Sequence, residues 1–177
     1  MDWGHVISTL LGTLAGFLFA IALFYITEHV KRKHDREKIL KGLRRELSYD
    51  LGLFDSWLKG IDTARPQVAV GDKNIFLHIG YTTVLRIFIQ QAIPAGLLYD
   101  LLTDQELVEL DTALRTCDSA AEKDYLDKLS AWRSGAMSNE DMFKTFEFHK
   151  HLVTRSRQAL AAVSSKVSSR VPAVKTR

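Results

Sequence analysis

The chain has 177 residues, room for one membrane anchor and one domain of modest size, and its net charge of +3 is too small to mark a polyanion binder by total charge alone. Cys117 is the only cysteine, which excludes an intramolecular disulfide and suits a reducing compartment. Three prolines and no Gly/Ser tract exclude a long flexible linker.

From Val6 to Ile26 there is no charged residue, and the only polar side chains are Ser8, Thr9, Thr13 and Tyr25. As a helix this stretch spans roughly 30 Å, the thickness of a bilayer's hydrocarbon core. Trp3 and Tyr25 stand at its ends, where amphipathic rings favour the headgroup region. A cleaved signal peptide needs a basic n-region and a small-residue cleavage site. Residues 1–5 carry no Lys or Arg, and residues 26–33 read ITEHVKRK, a stop-transfer flank. The sequence therefore predicts an uncleaved single-pass anchor.

Lys31, Arg32, Lys33, Arg36, Lys38, Lys41, Arg44 and Arg45 crowd the C-terminal flank, whereas the N-terminal flank offers Asp2 alone. The positive-inside rule then puts the N-terminus outside and the remainder in the cytoplasm, as in a bacterial inner membrane. The same basic residues are candidates for contact with anionic membrane lipid. Ser8, Gly12, Gly16 and Ala20 recur every four residues, a strip of small side chains with GxxxG spacing that suits close helix pairing in lipid.

Beyond the anchor, Leu40, Leu43, Leu47, Leu51, Phe54, Leu58 and Ile61 follow spacings of three and four, predicting an amphipathic stalk that continues the membrane helix and ends near Ala64–Pro66. Gly42 and Gly52 are points where it could bend. A loop follows, with a turn at Gly71-Asp72. Residues 75–93 are the most apolar stretch outside the anchor and read as a buried core helix, since His78, Arg86, Gln90 and Gln91 interrupt a second membrane span. A short hairpin of residues 68–70 and 75–79 is the other local option. Pro94 and Gly96 end the segment.

Thr103 and Glu106 fit a capping box that opens an acidic helix running to Trp132, on the stripe Leu107, Leu110, Leu114, Cys117, Ala121, Tyr125, Leu129 and Trp132, with Ser134-Gly135 as its stop. A last helix opens at Ser138, with Asp141 three residues on. Its stripe is heptad-spaced: Met142, Phe146, His149, Val153, Ser156, Leu160, Val163 and Val167, a pattern of bundles and coiled coils. From Ser164 the chain reads as a basic disordered tail. The predicted fold is all-α: a single N-terminal transmembrane helix (1–27), a basic juxtamembrane region and amphipathic stalk (28–65), an antiparallel cytosolic helical bundle (66–163) and the tail (164–177).

Chemistry is harder to find. His29 and His34 are five apart and His149 and His151 two apart, so neither pair aligns on one helical face as metal ligands would. Cys117 and His149 both sit within helical stripes, where packed core residues are expected. There is no G-x-S-x-G elbow, no P-loop and no G-x-G-x-x-G. The sequence thus assigns no catalytic residue, metal or cofactor, and no nucleic-acid partner. It predicts a membrane-anchored interaction or scaffold module that self-associates and recruits a protein partner. The alternative is a subunit of a homo-oligomeric pore whose cytosolic part acts as the sensor.

Overall fold

A computed structural model describes the backbone of residues 3–170 and the side chains of residues 11–170. Asp2, and residues 171–177 of the expected tail, lie outside the described residues, as do the side chains of Trp3 and Ser8. The chain is all-helical among the described residues, with no strand, so the hairpin option is overturned. It divides into two compact units, Met1–Lys38 and Ile39–Arg177.

The first unit is part of one long helix, α1 (Trp3–Ala69). Every described side chain from Leu11 to Thr27 is exposed, Phe17 at 62% and Phe19 at 70%. This is the one helix among the described residues long and apolar enough, by length and composition, to cross a membrane.

In the second unit the predicted stripe of α1 turns inward: Leu43, Leu47, Phe54 and Ile61 are fully buried. The helix does not stop at Pro66 as expected but continues to Ala69. Proline removes one helical hydrogen bond, yet Ala64 and Val68 on either side of it are core residues, and their burial holds the last turn. The true stop is Gly71 at φ +74. Its N–H donates to the Val68 carbonyl and that of Asp72 to the Gln67 carbonyl, both at 3.0 Å, a Schellman arrangement.

Residues 75–93 do not form the single core helix the sequence predicts. They run through irregular chain, a 3-10 turn at Tyr81–Thr83 and a short helix α2 (Ile87–Ala92). Ile75, Ile79 and Tyr81 are buried while Phe76 and His78 are exposed, an alternation that belongs to extended chain rather than to a helix. Buried backbone without a ladder needs other partners. Long side chains supply them: Arg133 donates to the Ile75 carbonyl, the Tyr125 hydroxyl donates to that of Leu77 at 2.9 Å, and the Glu122 carboxylate accepts from the Thr82 N–H at 2.8 Å.

After α2, Gly96 at φ +72 leads into α3 (Leu97–Leu101). The predicted acidic helix is broken in two, α4 (Asp104–Thr116) and α5 (Ser119–Arg133). Its start is as predicted: Thr103 accepts from the Glu106 N–H and Glu106 accepts from the Thr103 N–H. The break comes at Asp118, whose carboxylate accepts from the Ala121 N–H at 2.8 Å and caps α5. Arg86 donates to the Cys117 carbonyl that the break sets free.

α5 ends at Arg133, with Ser134 and Gly135 (φ +83) just beyond it, as the Ser-Gly stop predicts. α6 (Asn139–Arg170) then opens with Ser138 accepting from the Asp141 N–H at 3.1 Å, and all eight predicted stripe residues are buried. The helix continues to Arg170, seven residues into the stretch read as a disordered tail. α6 packs against α4 and α5. Ion pairs also join it to α1 in opposite order: Asp55 with Arg157 at 2.5 Å, Asp62 with Lys150 at 2.6 Å and Arg65 with Glu147 at 2.6 Å.

Candidate functional site

Gly12 and Gly16 lie on α1 with no neighbouring atom within 4 Å of where a Cβ would stand, and Ala20 is exposed beside them. Among the basic residues, Lys31, Arg32, Lys33, Arg36 and Lys38 are exposed in the first unit, with Arg32 paired to Glu28 at 3.0 Å. Arg44, half-buried, and Arg45, exposed, belong to the second unit, so the cluster that is continuous in sequence is divided between the two.

Two features that the sequence does not assemble, although it marks Gly42 as a bending point and the helix after Thr103 as acidic, come together in the second unit. One is a strip on α1 made by Gly42, Glu46 and Asp50, four residues apart and therefore on one face. The Phe88 ring rests directly on Gly42, where a Cβ would come within 2.2 Å of it. Glu46, only 3% exposed, accepts from the N–H groups of Phe88 at 2.8 Å and Ile89 at 3.0 Å. Asp50, fully buried, accepts from the Leu85 N–H at 3.0 Å through Oδ1, and its Oδ2 has no hydrogen-bond partner. Burial pushes the Asp50 carboxyl up to about 6; the Glu46 charge adds to the rise, while the Leu85 N–H and Arg86 oppose it. These two carboxylates clamp the turn that starts α2.

The other feature lies next to the clamp. Ile89, Ile93, Leu98, Tyr99, Leu107 and Leu114, with Val108, Leu110 and Asp111, line a groove of about 300 Å³ between α2, α3 and α4. Ile93, Tyr99 and Val108 on its rim are 43%, 63% and 65% exposed, so water meets a contiguous apolar surface. α3 and α4 carry Asp100, Asp104, Glu106, Glu109 and Asp111 against Arg115 as the single basic residue. Glu106 is engaged by Lys166 at 2.5 Å and Asp111 by Arg115 at 2.7 Å.

The histidine on the α6 stripe sits where the sequence expects a packed core residue. His149 Nδ1 and the Tyr81 hydroxyl are 2.8 Å apart, and Tyr125 meets the imidazole edge-on. Asp124 Oδ2 approaches Nε2 only to 3.9 Å. Burial lowers the imidazole to about 4, the Asp124 charge opposing it, so the ring is neutral at pH 7. The Asp124–His149–Tyr81 order has the outline of a proton relay, but both rings are fully buried and present nothing to a substrate. Cys117 is also buried; burial raises its thiol and its Sγ donates to Ser156 Oγ at 3.6 Å. Burial at this position favours the protonated thiol. No group of three or more His, Cys, Asp or Glu side chains converges as a metal site among the described residues.

No family model, no curated protein and no solved structure matches the chain.

Proposed function

We propose that this chain is a single-pass, membrane-anchored helical interaction module. The anchor self-associates, and an antiparallel helical bundle at the cytoplasmic face receives a partner in the groove between α2, α3 and α4. The observation that carries the reading is that groove: a water-exposed apolar surface with an acidic surround. Charge complementarity selects its occupant, a partner's amphipathic helix with bulky apolar side chains and a basic flank. A second copy docking groove to groove would oppose like charges, and an anionic lipid would meet the same repulsion.

The length and composition of the apolar stretch also suit a signal sequence. The anchor is favoured by the ITEHVKRK flank, which offers no small-residue cleavage site, and by the basic cluster that follows. That cluster sets the orientation, with the N-terminus outside.

Site-specific photocrosslinking in native membranes tests the groove. A benzophenone amino acid at Val108 of the full chain is expected to yield one dominant adduct, to a basic amphipathic segment of another protein. The same probe at exposed Asp127 on α5 gives none. Adducts mapping to a second copy, to lipid, or equally to both positions would overturn the assignment.

A further inference from the structure

The irregular segment before α2 is held on α1 by side chains rather than by a backbone ladder, and the two that hold it are acids one helical turn apart. Glu46 has both carboxylate oxygens occupied, by the amides of Phe88 and Ile89. Asp50 has one occupied, by the Leu85 amide, and one, Oδ2, buried without a hydrogen-bond partner. An ionised carboxylate in this position combines three costs: loss of water, an unsatisfied oxygen, and a like charge at the i−4 position.

The surroundings offset these costs only in part. From α1 the group facing Asp50 is Glu46, and from the segment before α2 it is Arg86. Arg86 is also committed to the Cys117 carbonyl. Across the α4–α5 junction stands the neutral thiol of Cys117, with Asp118 near it. α6 adds Ser156, which is not titratable in this range.

We propose that Asp50 is a proton-operated latch on residues 85–89, gripping the turn more tightly when its buried carboxyl takes up a proton. Protonation keeps Oδ1 as the acceptor for the Leu85 N–H and removes both the buried charge and its repulsion with Glu46. Ile89, whose amide Glu46 holds, is a lining residue of the apolar groove, so the latch sets one wall of that groove. The latch acts on the wall itself, whatever occupies the groove.

The sign follows from linkage. Asp50 has a folded-state pKa of about 6 against an ordinary value of 3.8. The closed latch therefore binds the proton more tightly than the open one, and its stability rises as pH falls from above 6 towards 4. Between pH 7.5 and pH 5 the ratio of closed to open states grows about tenfold for openings that expose Asp50 to water.

Amide hydrogen exchange on the full chain in lipid nanodiscs reads this directly, after correction for intrinsic exchange rates. Residues 85–93 are expected to gain about tenfold in protection at pH 5 relative to pH 7.5, a gain absent from α6 and absent from Asp50→Asn, which keeps the oxygen acceptor and has no proton to take up. A flat profile, or an equal gain in Asp50→Asn, would overturn the latch. Should that variant fail to fold, the wild-type profile decides: a gain in protection that sets in near pH 6 supports Asp50, and one that sets in only below pH 4 rejects it.

Discussion

Phe88 rests on the α1 backbone where Gly42 leaves out a side chain, and this single close approach gives an asymmetric pair of predictions. A Cβ at Gly42 meets the ring at 2.2 Å, whereas one at Gly52 meets nothing within 4 Å. Gly42→Ala should therefore destabilise by about 1–3 kcal/mol, since α2 must shift. Gly52→Ala should stabilise by about 0.5–1 kcal/mol, because it only restricts the unfolded chain. Urea midpoints of the two variants, measured side by side, check both signs. His149 supplies a pH dependence of its own. Its folded-state pKa lies near 4, below the ordinary 6.5, so its contribution is complete above pH 6.5 and is lost as pH falls through 4. The loss amounts to roughly 3 kcal/mol at about 1.4 kcal/mol per unit. Relative to the parent chain, a His149→Gln chain should lose about 3 kcal/mol less when unfolding is followed from pH 7 to pH 4. Because Asp50 acts in the opposite direction over nearly the same interval, global stability alone hides the latch and a local readout is needed.

At the scale of elements, the helices whose stop and start signals are local follow the sequence reading closely. The capping box at Thr103 and Glu106, the Gly135 stop, the Ser138 cap and the eight-residue α6 stripe are all present as read. Each depends on side chains within a few residues of one another. The break between α4 and α5 was equally local but was obscured by a stripe that ran through it. Asp118 is a strong N-cap residue, and it carries the signal. Asp118→Ala should cost about 1 kcal/mol in a denaturation series, and more where the exposed N–H of Ala121 finds no water. A variant as stable as the parent would show that the break is imposed by packing rather than by the cap. Residues 75–93 depart from the predicted helix for a different reason. Their apolar content predicts a helix, whereas the alternation of Ile75, Leu77, Ile79 and Tyr81 with Phe76 and His78 suits extended chain. The groups that make such a segment tolerable, Arg133, Tyr125, Glu122, Asp50 and Glu46, come from α1 and α5. No window of sequence contains them together.

For the whole molecule, the proposed self-association turns on the small-residue strip of α1. Gly12 and Gly16 are open along that face, and replacing both with Leu would hold two such helices apart. Gly12→Leu with Gly16→Leu should weaken self-association in native membranes at least about tenfold, or about 1.4 kcal/mol, as read by crosslinking yield against dilution. Localisation and the helicity of the second unit should be unchanged. An unaltered yield would remove the strip from the interface. What the sequence by itself determined is the helical class, the apolar stretch of α1 with its basic flank, and the inward face of α6, because each is written in periodicity or local charge along one element. What only the tertiary structure decided is the irregular course of residues 75–93, the pairing of Glu46 and Asp50 with the turn before α2, and the groove that Ile89 helps to line. The first two depend on residues about 35 to 60 positions apart and the groove on how three short helices meet, and a buried acid in a helix looks the same in sequence as a solvated one until the chain that covers it is in place.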